Sequence, residues 1–383
     1  MRELDAILFA YDSAKKERRS VVLATVIHVE GSSYRRAGAR MLVDEFGSIT
    51  GAISGGCLEG DALRKALHAL HQNQNRVITY DTGNEEDAVI GAQLGCNGII
   101  QVLFEPINFN NVNNPIEILK HAQAHGQSVV ATFFHLDKTE KQIGTTCWME
   151  ERGNLNGLVN KELYNQLLED SAIAVSQKSS LFREYILKSQ KHYVFLDLFL
   201  PPLKLVLVGA GNDAQILAQM AGFLGWDIVV IDGRHTHAKE DRFADSCQVI
   251  VSKPEEILKN IKVDERVVFV LMTHNYNYDL AVLKHLIEET DSKYIGILGP
   301  RKKYDRMLQE MNKEPIELSE EKLAKVYAPV GLELGAETPA EIALAILAEI
   351  QAVIRGTQGS FLKKKEGPIH QKKNNDFKQV IID

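Results

Sequence analysis

A single stretch, residues 203–234, restricts the fold of this chain more than any other part of its sequence. It reads as an apolar strand, a glycine turn, a helix, a second apolar strand and an acid. Gly209 and Gly211 stand at glycine positions of the dinucleotide fingerprint, and Asp232 follows about 20 residues later. There the helix N-terminus faces a phosphate and the acid faces ribose hydroxyls. The pattern predicts a Rossmann-like, doubly wound parallel sheet over residues 201–356 with a nucleotide-like ligand; a Rossmann fold that has lost its ligand is the alternative.

Polar residues also follow the later apolar strands of this region, at the strand ends where such sheets bind ligands. Arg301 and Lys302 open a predicted helix and suit an anionic ligand, although solvated charges at a helix start explain them equally well. Together with the fingerprint, the candidate cofactor-binding residues are Gly209, Gly211, Asn212, Asp232, Arg234, His274, Gly299, Arg301 and Lys302. His235 and His237 lie near the acid, but the carboxylate and thiol partners of a tight metal site are not evident.

A terminal helix is predicted from its capping residues. Thr338 stands at the N-cap, Pro339 at the first helical position and Glu341 two residues later, which is the pattern of a capping box. Gly356 is placed to end this helix. The segment 357–383 contains a cluster of lysines and is predicted to be a flexible basic tail.

The N-terminal half contains a weak internal repeat, in which residues 38–51 match residues 144–157. Three glycines recur with the same spacing, Gly38, Gly47 and Gly51 in the first copy and Gly144, Gly153 and Gly157 in the second. Equal spacing of glycines indicates turns that the backbone requires. The repeat predicts a first α+β copy over residues 1–108 and a degenerate second copy over residues 109–200, packed with the first.

The two copies differ most just before the helix of the repeat. The first copy has SGGCLEGD from residue 54, and the second has NKELYNQL from residue 160, which pairs Cys57 with Leu163. Because the fold survives without the glycine pair and the cysteine, these features are interpreted as additions for function. A loop that is different but purely structural is the alternative.

The residues special to the first copy suggest an anion site with a thiol beside it. Arginine side chains grip phosphate through two parallel hydrogen bonds, and a cysteine near a helix start has a stabilised thiolate. The candidate residues here are Ser32, Ser33, Arg35, Arg36, Arg40, Gly55, Gly56, Cys57, Glu59 and Cys96. No catalytic residue is assigned firmly; Cys57 and Cys96 are the candidate thiols.

Composition limits the remaining functions. The formal net charge of −7 argues against a nucleic-acid partner. No apolar run reaches the roughly 20 residues of a membrane span, and no secretory h-region is visible, so we expect no membrane partner and a cytoplasmic protein. The 4 cysteines include no CxxC pair, which argues against a zinc knuckle or an iron–sulfur cluster. A homodimer is the commonest assembly for such chains.

These blocks together resemble the XdhC/CoxI family, whose members assist the maturation of molybdenum hydroxylases such as xanthine dehydrogenase. GSSYRRAGARMLVDEFGSITGAISGGCLE resembles the family's N-terminal signature, and LGCNGIIQVLFEP resembles its cysteine-bearing segment. LVLVGAGNDAQILAQMAGFLGWDIVVIDGR and PVGLELGAETPAEIALAILAEI resemble blocks of its C-terminal Rossmann domain. The likeness covers nearly the whole chain. The sequence differs from the usual family pattern at Tyr34, Ser54, Asn97 and Tyr276.

The resemblance implies an accessory protein that binds the molybdenum cofactor, as molybdopterin or its nucleotide form. It also implies a role in the sulfuration or insertion of that cofactor into an apo-hydroxylase, with a cysteine desulfurase as a further partner. Cys57 or Cys96 would then contact molybdenum, which suits soft thiolates. The alternative function, from the fingerprint alone, is an NAD(P)-dependent oxidoreductase. Xanthine dehydrogenase itself is disfavoured, because its iron–sulfur clusters need sets of four suitably spaced cysteines.

Overall fold

The computed structural model describes seven ranges of the chain: residues 3–31, 33–81, 98–137, 141–150, 153–188, 190–366 and 377–382. The chain divides into two compact units. The first unit combines Glu3–Pro201 with the C-terminal segment, and the second unit runs from Pro202 to Lys365.

The first copy of the repeat forms a five-stranded antiparallel sheet. Its elements are α1 (Glu3–Glu17), β1 (Val21–Gly31), β2 (Arg40–Asp44), β3 (Ile49–Gly51), α2 (Glu59–Gln72), β4 (Arg76–Asp81) and β5 (Gly98–Pro106). The strand order is β3-β2-β1-β5-β4. Helix α2 turns Ala62, Ala66 and Ala69 toward the outer face of this sheet, where small side chains allow the helix to approach closely.

The second copy repeats this topology. Its elements are α3 (Pro115–Ala124), β6 (Ser128–Phe134), β7 (Gly144–Glu150), β8 (Leu155–Gly157), α4 (Tyr164–Ser176), β9 (Leu181–Leu187) and β10 (Gln190–Phe199). The order β8-β7-β6-β10-β9 matches the first sheet strand for strand, and every pair is antiparallel. The predicted duplication is confirmed, and each copy also contains two strands after its second helix that the sequence pattern did not show.

The paired glycines have the same backbone conformation in both copies. The φ angles are +91° and +101° at Gly38 and Gly144, +84° and +86° at the second pair, and +83° and +113° at Gly51 and Gly157. All six lie in the region that favours glycine. At Gly51 an added Cβ would also lie 2.5 Å from the carbonyl oxygen of Arg40. The prediction that these glycines serve the backbone is confirmed.

The inner faces of the two antiparallel sheets pack against each other. Ile27 and Leu103 of the first copy meet Phe134, Phe182 and Phe195 of the second. Helix α4 covers the outer face of the second sheet, as α2 covers that of the first. The two copies therefore share inner-face packing. Helices α2 and α4 lie on the outer faces, whereas α1 and α3 pack against inner-face residues such as Leu23 and Val130.

One carboxyl group, that of Glu105 on β5, is buried between these sheets. It accepts hydrogen bonds from the backbone N–H of Thr145 at 2.7 Å and from the Thr145 hydroxyl at 3.0 Å. Burial raises the pKa of Glu105 to about 7, although these hydrogen bonds and the charge of Arg40 act in the opposite direction.

The second unit is a Rossmann domain, as predicted. Its elements are β11 (Lys204–Val208), α5 (Asn212–Phe223), β12 (Asp227–Asp232), β13 (Cys247–Val251), β14 (Val267–Leu271), α6 (Tyr276–Glu289), β15 (Ile295–Ile297), α7 (Arg301–Met311), α8 (Glu320–Leu323), β16 (Val326–Tyr327) and α9 (Pro339–Arg355). The six strands are parallel in the order β13-β12-β11-β14-β15-β16. Counted within the domain, this is the 3-2-1-4-5-6 order of dinucleotide-binding folds.

Helix α9 begins and ends as its sequence predicts. The Thr338 hydroxyl accepts from the Glu341 N–H, and the Glu341 carboxylate accepts from the N–H of Thr338. Gly356 ends the helix with φ of +65°. Short 3₁₀ turns complete the described chain at Lys161–Leu163, Glu240–Arg242, Pro254–Asn260 and Leu362–Lys364.

The segment predicted as a flexible tail contains a strand, β17 (Lys378–Ile382). It pairs in parallel with β9 of the second copy, from Lys378 beside Arg183 to Ile382 beside Leu187. Phe377 precedes it, with its ring centroid 4.6 Å from that of His28 and 5.0 Å from that of Tyr193. The prediction is wrong for this part of the tail, because a partner strand almost 200 residues earlier orders it.

Candidate functional site

The glycine turn of the first copy is organised around one hydroxyl. Ser54 Oγ accepts hydrogen bonds from the backbone N–H groups of Gly56, Cys57 and Leu58, at 3.1–3.2 Å. The same hydroxyl donates to the carboxylate of Glu59 at 2.5 Å, and Glu59 also accepts from the Ser54 N–H at 2.9 Å. The free N–H groups that precede α2 are thus satisfied within the turn.

Glu59 remains charged in this arrangement. Its partial burial acts to raise the pKa, but the hydrogen bonds from Ser54 and the neighbouring backbone outweigh burial and lower the pKa below the ordinary value. Glu59 therefore supports the turn through Ser54.

Comparison of the two copies corrects the predicted alignment of Cys57. Ser54 and Asn160 are separated by 160 − 54 = 106 positions, and both cap the turn before the following helix. Leu58 and Leu163 are separated by 163 − 58 = 105 positions, and both are buried beneath their helices. The first copy therefore has one residue more in the turn. Leu58 takes the core position of Leu163, and Cys57 is the extra residue.

The extra residue places the thiol outside the core. Gly56 has φ of +107°, and an added Cβ there would meet nothing within 4 Å. That conformation lets the chain bulge before Leu58 returns to the core, and Cys57 is exposed. Burial in contrast raises the pKa of Cys147, to about 11, and that of Cys247. Among the described cysteines, Cys57 is the accessible one; Cys96 lies outside the described residues.

The serine–arginine loop lies beside the glycine turn. An added Cβ on Gly55 would be 3.3 Å from the ring of Tyr34, so that ring closes over the turn. Arg35 donates to Glu3 at 2.9 Å, and the other oxygen of Glu3 accepts from the N–H of Ala52 at 2.8 Å. The structure thus brings this loop and the cysteine turn together.

The remaining residues of the predicted anion site differ in exposure. Arg36 is exposed and Ser33 half-buried, and Ser32 lies outside the described residues. Arg40 is buried, donating to Asp197 on β10 at 2.7 Å and to the Gly38 carbonyl at 3.0 Å. The charge of Arg40 is therefore balanced inside the fold, where it joins the two copies.

In the Rossmann unit, the glycine turn lies at the reversal of strand order. An added Cβ on Gly209 would be 2.6 Å from the backbone of Met272, so the turn after β11 packs directly against the segment after β14. Gly211 has open space at that position and precedes α5. Ligands of open α/β sheets bind in the crevice at this point.

Asp232 ends β12 where predicted, but its carboxylate is held by the protein. It accepts from the Ala210 N–H at 2.8 Å and from the Arg234 N–H at 2.9 Å. The Arg234 side chain donates two more hydrogen bonds, from Nε at 2.9 Å and from Nη2 at 2.7 Å. Burial acts to raise the pKa of Asp232, but these hydrogen bonds outweigh it and lower the pKa.

A second guanidinium, that of Arg242, contacts the same glycine turn. It donates to the Ala210 and His237 carbonyls, both at 2.7 Å, and to the Asn212 side chain at 3.0 Å. Sequence reasoning missed this residue, because it follows the fingerprint in a loop without regular pattern. The run of charged residues after β12 was the one available signal.

A half-buried ion pair between α6 and α7, at the carboxyl ends of β14 and β15, was also missed. Lys303 donates to Asp279 at 2.7 Å and to the Leu298 carbonyl at 2.9 Å, and the Thr273 hydroxyl donates to Asp279 at 2.6 Å. Lys303 lies one and two turns before the buried Met307 and Met311, a spacing that indicates the inner face of α7.

The other predicted residues of this edge are accessible. His274 is exposed and adopts the left-handed conformation with φ of +57°, which is uncommon for a residue other than glycine. Gly299 has φ of +133°, and an added Cβ would lie 3.0 Å from Lys303. Lys302 is exposed, and Arg301 donates to Asp305 at 3.0 Å and to the Ala328 carbonyl at 3.3 Å.

Metal-binding clusters and membrane-spanning helices are both absent from the described residues. No group of three or more His, Cys, Asp or Glu side chains within them is arranged to hold a metal ion. No helix in the same part of the chain combines the length and the apolar character needed to cross a membrane.

The class of protein follows from this combination of a duplicated α+β unit and a Rossmann domain. A family model described as the XdhC Rossmann domain matches residues 205–350, and one described as the XdhC and CoxI family matches residues 14–81. The chain is 31% identical, over 88% of its length and 94% of the relative, to a protein of Bacillus subtilis that is named as a probable subunit of xanthine dehydrogenase. The chain belongs to the XdhC and CoxI family.

Two further relatives cover most of the chain. The molybdenum cofactor insertion chaperone PaoD of Escherichia coli is 25% identical over 88% of this chain and 84% of its own length. A crystal structure described as a xanthine dehydrogenase from Bacillus halodurans matches with a TM-score of 0.72 and 29% identity, over 94% of this chain and 98% of that one. Both similarities extend across both units.

Proposed function

We propose that this protein binds the molybdenum cofactor and assists its sulfuration or its insertion into a molybdenum hydroxylase. The observation that carries the proposal is the extra residue Cys57, an exposed thiol on a glycine bulge that the second copy lacks. The relatives named for xanthine dehydrogenase and for cofactor insertion support the same role.

The donor set around Cys57 suits this cargo. A thiolate is the soft ligand that a dithiolene-bound molybdenum accepts. Arg36 is exposed on the adjacent loop, and Tyr34 offers an exposed ring beside Gly55. Arginine suits the cofactor's phosphate, and an aromatic ring suits a flat pterin. Cys57 would hold the metal end, while Arg35 and Glu3 fix the loop against the turn.

Cofactor retention tests this proposal. The full chain would be co-expressed with the cofactor's biosynthetic enzymes, and molybdenum and pterin per chain measured by mass spectrometry and by pterin fluorescence. We expect Cys57→Ala to lower the retained molybdenum about 10-fold or more. Cys247→Ala removes a half-buried thiol of the other unit and serves as the control.

Two outcomes would count against the proposal. Unchanged retention in a Cys57→Ala, Cys96→Ala double variant excludes thiol ligation. Absence of molybdenum and pterin from the wild-type protein excludes cofactor binding itself. Mixing the same preparations with apo-hydroxylase, with and without a cysteine desulfurase, would separate insertion from sulfuration. The elution volumes of these preparations in size-exclusion chromatography would test for a homodimer.

The oxidoreductase alternative makes a different prediction. A hydride-transfer enzyme would consume a reduced nicotinamide in the presence of a substrate and would not depend on Cys57. The candidate acids or bases beside the cleft are His274 and Lys302, which are both exposed, whereas Lys303 is bound to Asp279. Absorbance of the nicotinamide in the presence of candidate substrates follows this reaction directly.

A further inference from the structure

The ribose end of the Rossmann cleft has an unusual charge arrangement. In dinucleotide-binding domains, the acid at the end of the second strand accepts hydrogen bonds from ribose hydroxyls. A carboxylate has about four acceptor sites. At Asp232 all four are used, one by the Ala210 N–H and three by Arg234. Asp232 is 2% exposed, so the acid holds the glycine turn and an arginine in place.

Arg234 consequently presents its guanidinium where the acid would otherwise face the ribose. Its side chain is 47% exposed. A guanidinium has five N–H donors, and two of them bind Asp232. The rest lie on the part of the group away from the carboxylate. The fixed fork makes Arg234 a preorganised donor for an oxyanion.

Arg242 adds a second positive charge to the same turn. It binds the Ala210 carbonyl and the Asn212 side chain, at the start of α5. The Ala210 carbonyl would otherwise present a negative dipole end toward a ligand in the turn. Arg242 therefore pairs with the Ala210 carbonyl and Arg234 pairs with Asp232, so these two negative groups of the rim are bound within the protein.

We propose that the ribose subsite of this Rossmann domain selects a nucleotide that carries a 2′-phosphate over one with free ribose hydroxyls. Arg234 is the specificity-determining residue and Asp232 the positioning residue that orients it. A 2′-phosphate meets the open N–H donors of Arg234 here, whereas a ribose 2′-hydroxyl finds no open acceptor on Asp232. This reverses the preference expected from the acid alone.

Calorimetry on the full chain tests this selectivity with defined probes. We expect 2′,5′-ADP to bind about 10- to 100-fold more tightly than 5′-AMP, the range for a charge-assisted hydrogen bond. NADP⁺ should likewise bind more tightly than NAD⁺. Inorganic phosphate measures the contribution of a free anion and should bind more weakly than 2′,5′-ADP.

Variants distinguish a specific contact from general charge. Arg234→Ala should reduce the ratio of the affinities for 2′,5′-ADP and 5′-AMP to near one. The affinity for 5′-AMP should stay the same or increase, because Asp232 is then released to accept hydrogen bonds from ribose hydroxyls. Arg234→Lys keeps the charge without the fork and should retain a smaller ratio, which guards against misfolding of the alanine variant. Arg306→Ala, an exposed ion-paired arginine on α7, is the matched control and should leave the ratio unchanged.

Three results overturn the proposal: equal affinity for the two probes, no binding of either, or a ratio that Arg234→Ala leaves intact. The proposal concerns the nucleotide cleft and does not depend on molybdenum. Because the titrations contain no molybdenum cofactor, their failure leaves the retention experiment unaffected, and the reverse also holds.

Discussion

At the scale of single residues, Glu105 makes stability depend on pH. Its pKa is about 7 in the folded chain, against an ordinary value of 4.5. Between these pH values the folded state binds more protons than the unfolded state, so stability is greatest below about pH 4.5 and falls as pH rises through about 7. The shift corresponds to a cost on the order of 3 kcal/mol at higher pH.

Glu105→Gln should remove this dependence, since glutamine resembles the protonated acid in shape and charge. We expect the variant to be more stable than the parent at about pH 8, by on the order of 2 kcal/mol, and similar at about pH 5. Urea unfolding in a Trp226→Phe background leaves Trp148 as the one tryptophan and follows the first unit alone. Glu45→Gln, at an exposed position, controls for charge; an unchanged pH slope in Glu105→Gln would contradict the assignment.

Gly51 and Gly47 have the same backbone conformation but different surroundings, so they separate the two reasons for which a position requires glycine: a positive φ angle and a lack of space for a Cβ atom. Their φ angles are +83° and +84°, but an added Cβ lies 2.5 Å from the Arg40 carbonyl at Gly51 and no nearer than 3.6 Å to any atom at Gly47. We expect Gly47→Ala to cost about 1–2 kcal/mol through backbone conformation. Gly51→Ala should cost about 1–3 kcal/mol more through overpacking. Urea unfolding of the two variants side by side measures the difference in their free energies of unfolding. Equal losses of stability would show that the structure relaxes to relieve the contact with the Arg40 carbonyl.

The residues that sequence reasoning missed share a physical cause. Lys303 is next to the predicted Lys302, and only the burial of Met307 and Met311 on the same helix face shows which lysine turns inward. Arg242 binds the glycine turn from an irregular loop, which has no period to analyse. The spacing of residues in the sequence predicts the strand ends and the position of Asp232. It does not predict which group a charged side chain binds, because that partner is brought near by the tertiary fold.

At the scale of elements, the glycine turn before α2 is one residue longer than its counterpart before α4. Sequence alone left this undetected, because both Cys57 and Leu58 are apolar enough to fill the position of Leu163. The strands, the glycines and the order of the repeat followed from pattern, since turns and alternation are local properties. The insertion became evident only from which leucine is buried.

Replacing residues 55–57 by the dipeptide Lys–Glu tests this interpretation of the turn. The first copy would then have the turn length and sequence of the second, with Ser54 still in the cap position and Leu58 in the core. We expect the melting temperature to change by less than about 4 °C, which corresponds to roughly 1 kcal/mol. Cofactor retention should fall as it does in Cys57→Ala. A large loss of stability would instead mean that the longer turn is required by the fold.

At the scale of the whole molecule, the first unit is discontinuous in sequence. The chain leaves it at Pro201, forms the Rossmann domain, and returns to it in the C-terminal segment. Strand β17 then adds to the edge of the second sheet beside β9. The sequence did not predict this pairing. The five residues of β17 show only a short alternation of polar and apolar side chains, and their partner strand is distant in sequence.

Phe377→Ala should therefore destabilise the first unit, although the residue follows the Rossmann domain in the chain. Its ring lies 4.6 Å from His28 and 5.0 Å from Tyr193, centroid to centroid, and contacts both copies of the repeat. We expect a loss of about 2–3 kcal/mol, below the full range for a buried phenylalanine because the ring is only half-buried. In unfolding experiments, Trp148 should report the loss, while Trp226 in the Rossmann domain should not. Phe361→Ala, at a position 70% exposed, is the control for removal of a phenylalanine near the C-terminus. Equal shifts at both tryptophans would show that the two units unfold together, and no shift at Trp148 would show that β17 contributes nothing to the unit it joins.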